Sequence, residues 1–252
     1  MYGATIKTQQ YTIRRKKGFI MNHDITNEVL TEFSTAFSSN PVNHIAMNAV
    51  TSAGLLAASK NPMAQRESRH SYSISLEQGE ITNQKQSGRC WMFAALNTFR
   101  FEVMKNLNLK TFELSQNYTL FYDKLEKSNY FLESILETLD EPTQGRLISF
   151  LLSAPLGDGG QWDMLCNLVR KYGVVPKEAM PETVASSATR EMTAALTRKL
   201  REDACRLRKA YADGSTLDEL RKKKEAMMEE IYRILCICLG EPPKTFDLEV
   251  TD

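Results

Sequence analysis

Residues 83–91 read N-Q-K-Q-S-G-R-C-W, which places Cys90 directly after a short turn containing Gly88 and before an apolar run. Phe93, Leu96, Phe99 or Arg100, and Met104 follow at helical spacing, so Cys90 is expected in the first turn of a helix. A cysteine acts as a nucleophile only as its thiolate. The unpaired N–H groups and positive dipole end of a first helical turn favour that form. Gly88 permits the tight approach to this position, because no Cβ stands in the way. The Cys90 N–H then faces the oxygen of an attacked carbonyl. Gln84, six residues upstream, offers amide donors as the second arm of an oxyanion hole. Trp91 is expected to pack under the helix start and shield the site. This equipment specifies acyl transfer through a thioester, with Cys90 as nucleophile and Gln84 stabilising the oxyanion.

The rest of the chain reads as mostly helical. Residues 1–20 are polar and include the basic run Arg14-Arg15-Lys16-Lys17; they read as a disordered or non-family extension, or an upstream start, with the basic run a solvated tail. After Met21, the stripe Val29, Leu30, Phe33 and Phe37 predicts a helix that Asn40-Pro41 stops. Tyr72, Ile74 and Leu76 alternate with polar residues, which predicts a short strand. Ser115 is a good N-cap for a helix carrying Tyr118, Phe121, Tyr122 and Leu125, whose aromatics read as core. Gly157-Asp158-Gly159-Gly160 forms a loop, and Trp162 to Tyr172 a helix capped by Gly173. A helical hairpin follows over residues 185–241. Its first arm carries Met192, Leu196, Leu200, Ala204, Leu207 and Tyr211. After Ala212-Asp213-Gly214, Ser215 with Asp218 suggests a capping box for the second arm, with Leu217, Leu220, Met227, Ile231 and Leu235. The run Arg221–Lys224 reads as a solvated face. Over residues 242–252, Phe246, Leu248 and Val250 announce a strand with no partner segment after it, so the sequence reads as cut short.

Composition excludes several classes of function. Apolar content is 42% and the formal net charge +1, which fits a soluble globular protein rather than a nucleic-acid binder. No run is apolar enough to cross a bilayer and no secretory leader stands at the N-terminus, so a cytoplasmic location is expected. The five cysteines are irregularly spaced, and all three histidines precede residue 71. A zinc site is therefore not expected, and no other cofactor is called for. Cysteines other than Cys90 read as small hydrophobes.

The string S-G-R-C-W resembles the C-G-[SA]-C-[WY] pattern of papain-like cysteine peptidases. Ser87 stands where secreted relatives have a disulfide cysteine, which agrees with a reducing compartment. Within that superfamily the chain resembles the bleomycin hydrolase / aminopeptidase C family. The strings are ITNQKQSGRCWMF at 81–93, FELSQNY at 112–118, DGGQWDM at 158–164, KYGVVPK at 171–177 and LGEPPKTFD at 239–247. The likeness runs from about Met21 to the end. It implies an α+β, papain-like fold of which residues 21–184 form the nucleophile-bearing helical region. The hairpin 185–241 would be an inserted helical region, and 242–252 the start of a β-rich half that is mostly absent. It also implies that Cys90 is the nucleophile and Gln84 the oxyanion glutamine. Gly159-Gly160 becomes the edge along which a peptide substrate pairs, and the whole enzyme an inward-facing homohexameric aminopeptidase. The family's C-terminus restricts its cleft to exopeptidase action, and this chain has no such segment.

One departure stands out. The catalytic His and Asn of papain-like enzymes lie roughly 130–150 residues after the cysteine, yet no histidine follows Cys90. His23, His44 and His70 precede it and read as structural or surface residues. Without an imidazole nothing protonates the leaving amine, so the polypeptide alone is expected to be inactive. A rival reading is a non-catalytic interaction protein that binds through the hairpin, with a vestigial Cys90. A weaker one is a nucleic-acid binder using Arg14–Lys17 and Arg221–Lys224.

Overall fold

The computed structural model of the chain describes residues 25–67, 71–76 and 79–249. It divides into two compact units, one ending at Ile74 and the other beginning at Ser75. In the first unit, Thr26 caps α1 (Asn27–Ser39) by accepting from the Val29 N–H. Asn40 ends α1 and starts α2 (Pro41–Ala53), where its side chain accepts from the Val42 N–H and Pro41 occupies the first turn. Asn40-Pro41 is thus both a stop and a start, since proline suits the first helical position. A second Asn-Pro pair, Asn61-Pro62, starts α4 (Pro62–Glu67) after the short α3 (Leu55–Ala58) in the same way, with Asn61 accepting from Met63 and Ala64. The expected helix is α1, while α2, α3 and α4 lie in a stretch for which the sequence predicts no element. The stripe Leu30, Phe33 and Phe37 is exposed rather than buried.

The second unit holds the core. Its long helices are α5 (Cys90–Asn106), α6 (Gln116–Glu137) and, after the shorter α7 (Arg146–Ser153) and α8 (Trp162–Tyr172), the hairpin α10 (Arg190–Ala212) and α11 (Leu217–Leu239). A 3-10 turn at Lys177–Ala179 and the short α9 (Val184–Ser187) lead into the hairpin. Its stripes are buried: Leu196, Leu200, Ala204 and Leu207 on one arm, and Leu220, Ile231 and Leu235 on the other, are all at 0% exposure. They share one core with Leu120, Phe121, Leu132 and Ile135 of α6, so the hairpin is continuous with the body that carries Cys90. Burial of that shared stripe, more than helix propensity, is what stabilises such helices.

Local end signals behave as their chemistry dictates. Ser115 accepts from the Tyr118 N–H at 3.0 Å and donates to the Met180 carbonyl, and the buried Asn117 donates to the carbonyls of Pro181 and Leu239. The start of α6 therefore ties down the segment before α9 and the end of α11. Gly173 and Gly240 end α8 and α11 at φ 74 and 88, a region that a Cβ disfavours. The capping box of α11 is Thr216 with Glu219, one residue later than the Ser215–Asp218 pair read from sequence. The reason is that Ser215 still belongs to the turn, its N–H donating to the Ala210 carbonyl. Leu217 and Tyr211 are exposed rather than core. Lys224, in the run read as solvated, is buried against Asn129 and Glu133 of α6.

The expected strands are not formed. Among the described residues the only β pairings are two isolated bridges, Gln86 with Ala188 and Leu114 with Pro176. Tyr72, Ile74 and Leu76 are exposed and unpaired there, and Phe246 and Leu248 are also without ladders; Val250 lies outside the described residues. Alternation marks only a segment that suits a sheet, and a strand forms only beside a partner. The described residues are helical, in keeping with a chain expected to hold mostly the helical half of an α+β, papain-like fold. No described helix is long and apolar enough to cross a membrane.

Candidate active site

Cys90 is the first residue of α5 and is exposed, and no side chain caps that helix. Met92 and Phe93 donate their N–H groups to the Arg89 carbonyl, which leaves the Cys90 and Trp91 N–H groups available to a developing oxyanion. The turn before it is held residue by residue. Asn83 Oδ1 accepts the Lys85 N–H at 2.8 Å, which holds Lys85 at φ 55, an uncommon conformation for a residue with a Cβ. The Gln86 N–H donates to the Ser187 carbonyl at 2.9 Å, and the Ser87 hydroxyl to the Gln84 carbonyl at 2.6 Å.

Arg89 is fully buried, and its guanidinium makes a two-pronged pair with Glu182 at 2.8 and 2.7 Å. Its Nε donates to Ser87 Oγ, and the group lies over the Phe93 ring at 5.0 Å. A bidentate pair fixes orientation as well as distance. The residue before the nucleophile is therefore immobilised while Cys90 itself stays open to solvent.

A second clamp comes from the 157–160 loop. Asp158 accepts the Gly88 N–H at 3.0 Å, the Thr189 hydroxyl at 2.5 Å and the Lys124 ammonium at 2.6 Å. Partial burial raises the pKa of this carboxyl, but the Lys124, Thr189 and Gly88 bonds outweigh it and hold Asp158 at about 2. Lys124 is itself fully buried on α6, and burial pushes its pKa down against the pull of Asp123 and Asp158. Lys127, one turn further on, bonds Asp123 and the carbonyls of Gly157 and Gly159. Helix α6 thus grips the loop, and the loop grips the nucleophile turn.

Trp91 completes the connection by donating its Nε1–H to the Asp158 carbonyl at 2.8 Å. A Cβ at Gly160 would stand 2.5 Å from the indole, and one at Gly88 2.8 Å from the Asp158 Cβ, so both glycines are required by close packing. Gly159 differs: a Cβ there meets nothing within 4 Å. Gly160→Ala is therefore expected to lower stability by about 1–3 kcal/mol through overpacking. Gly159→Ala should stay within about 0.5 kcal/mol of the parent. Thermal melts of the two variants side by side check this, and equal melting temperatures would refute the packing argument.

The sequence points to four site residues. Cys90 and Gln84 sit on one clamped turn, and Gly159 and Gly160 on the loop bound to it. The Gln84 Oε1 is shielded from solvent without a partner, and its Nε2 makes no hydrogen bond among the described residues. His44 is an exposed residue of α2 beside Phe37; His23 and His70 lie outside the described residues. Sequence reasoning missed Asp158, Lys124, Arg89, Glu182 and Thr189. One signal was available: Lys124 lies four residues after Leu120 and four before Ser128, on the buried face of α6, where an ammonium requires a buried acceptor.

The Peptidase C1-like family model matches residues 24–252. Aminopeptidase C of Listeria monocytogenes is 48% identical over 229 residues, covering 91% of this chain and 51% of that protein. Bleomycin hydrolase of Homo sapiens is 42% identical over 232 residues, covering 90% of this chain and 51% of that protein. The crystal structure of PepW from Lactobacillus rhamnosis superposes with a TM-score of 0.87 at 46% identity, over 92% of this chain and 52% of that one. The chain spans about half the length of the curated relatives it matches.

Proposed function

Because the chain belongs to the Peptidase C1-like family, we propose that it carries the nucleophile-bearing part of a papain-like cysteine aminopeptidase. The observation that supports this most is the exposed Cys90 at the uncapped start of α5, on a turn locked by two carboxylate clamps. Cys90 Sγ attacks the carbonyl carbon of an N-terminal peptide bond. The oxyanion is received by the Cys90 N–H and the Gln84 amide. Loss of the amine leaves a thioester on Cys90, which water then hydrolyses. The substrate backbone pairs along Gly159-Gly160. The open space over Gly159 suits such an approach, and its carbonyl, although it accepts from Lys127, has a second lone pair to offer. The working enzyme is a cytoplasmic hexamer acting on peptides; the names of the relatives support the aminopeptidase assignment.

Protonation of the leaving amine needs an acid such as imidazole, and this polypeptide has no histidine after Cys90. Purified 1–252 should therefore not turn over an amino-acid arylamide. Turnover that disappears in Cys90→Ala would refute this. The thiol itself should still be reactive. Iodoacetamide should modify Cys90, at a helix start, ahead of Cys205, which is also exposed and sits mid-helix on α10. Labelling of Cys90 no faster than Cys205 would favour the interaction-protein alternative.

A further inference from the structure

A cavity of about 860 Å³ opens beside the nucleophile turn, with Ser87 and Gly88, three and two positions before Cys90, in its wall. Its size is that of a small-ligand pocket, roughly 300–1,000 Å³. Four cations line it: Lys85 from the turn, and Arg190, Arg198 and Arg201 from α10. None of the four is in an ion pair among the described residues. The one carboxylate in the lining is Asp158, and both its oxygens are already engaged, by Lys124 on one side and by Gly88 and Thr189 on the other. The cavity therefore carries uncompensated positive charge.

Its geometry is also set in advance. Arg201 is braced by the carbonyls of Leu152 and Ser153 at 2.8 and 2.9 Å, and Lys85 is held in its left-handed conformation by Asn83. Thr193 and Thr197, one helical turn apart, complete the wall on α10. Guanidinium groups without a counter-charge are matched by a planar, multiply accepting anion.

We propose that this cavity is a subsite for the side-chain carboxylate of an acidic residue in a peptide held beside Cys90. That the ligand is a peptide rests on the cysteine-peptidase reading; that it is anionic rests on the cavity alone. Arg190 and Arg198 are its specificity-determining residues. Both are exposed and their side chains make no hydrogen bond among the described residues, so replacing them should leave the fold intact.

The test is fluorescence anisotropy on the full chain with Cys90→Ser, so that no chemistry is needed. The probes are labelled hexapeptides, amidated at the C-terminus, that differ only by one glutamate or glutamine. The glutamate peptide should bind about tenfold more tightly, with a salt-dependent Kd. Arg190→Gln/Arg198→Gln should erase the difference while circular dichroism stays unchanged. Arg190→Glu/Arg198→Glu should reverse the preference. Equal binding of the two probes by the parent, or a preference that survives in the double variant, overturns the proposal. So does a glutamine peptide with a free C-terminus that matches the glutamate probe, because the ligand is then a terminal carboxylate. Binding of inorganic phosphate with no difference between the peptides also overturns it. The thiol-labelling comparison of Cys90 with Cys205 is read independently, so failure of the subsite and failure of the peptidase reading are distinguishable.

Discussion

Replacing Asp158 by alanine is expected to cost about 3–5 kcal/mol of folding stability, a large part of the roughly 5–15 kcal/mol that holds a typical domain together. The change deletes more than one hydrogen bond. It leaves the Lys124 ammonium fully buried with the Gly157 carbonyl, and with the Asp123 carboxylate at 3.9 Å. It also frees the Gly88 N–H and the Thr189 hydroxyl, which together close the nucleophile turn on α10. Urea unfolding measures the loss. Hydrogen exchange should place the first opening at residues 86–92. A variant within about 0.5 kcal/mol of the parent would show that the clamp is not what holds the turn. Asp158→Asn gives the matching pH test. A carboxyl held at about 2, below its usual value of about 3.9, contributes stability that is complete above that usual value. That contribution is lost as pH falls from about 4 toward 2. The amide of the variant cannot titrate, so the stability difference between parent and variant should shrink across that window. Asp123, raised chiefly by burial and only in small part by the Asp158 charge, titrates in both proteins.

Arg89→Met should have a somewhat smaller effect, about 2–4 kcal/mol, because the guanidinium removed is fully buried while Glu182 keeps 25% side-chain exposure. Glu182 then loses both guanidinium bonds, retaining only the Ser186 hydroxyl on one oxygen, and Phe93 loses the cation over its ring. Most of the cost is expected to be the stranded carboxylate rather than the net worth of the pair. The double variant Arg89→Met/Glu182→Leu should therefore recover a substantial part of the stability, as replacement of buried ion pairs by apolar groups often does. A double-mutant cycle on melting free energies reads this out directly. Simple addition of the two single costs would argue that the residues act separately. In both single variants Cys90 should remain accessible, since its exposure does not depend on either clamp.

Legibility in the sequence follows the range of the interaction. Ser115, Gly173 and Gly240 are legible as helix ends because each acts on backbone groups within four residues. The α10 and α11 stripes are legible for the same reason, since periodicity is a property of one helix. The expected strand at Tyr72, Ile74 and Leu76 fails because alternation carries no information about whether a partner will be there. The run at Arg221–Lys224 departs from a solvated face at Lys224, which depends on Asn129 and Glu133 of another helix to accept its proton-rich end. Gly160 is legible as a position that needs a close approach, but what approaches it inside the chain is the Trp91 indole.

By itself, the order of residues determined that Cys90 opens a helix after a glycine turn, with Gln84 six residues before it. It also determined where the long helices end and where the stripes of α10 and α11 run, because those properties are settled by neighbours along the chain, whereas the exposed Leu30, Phe33 and Phe37 show that a stripe does not bury itself. Only the tertiary structure decided how the turn is held: Asp158 reaches Gly88 across seventy residues and Glu182 reaches Arg89 across ninety-three. It also decided that four cations beside that turn are left without a counter-charge among the described residues. The physical reason is that a buried charge is tolerated only when a partner arrives with it. Which distant segment brings that partner is fixed by the packing of α5, α6 and α10, and by no local pattern.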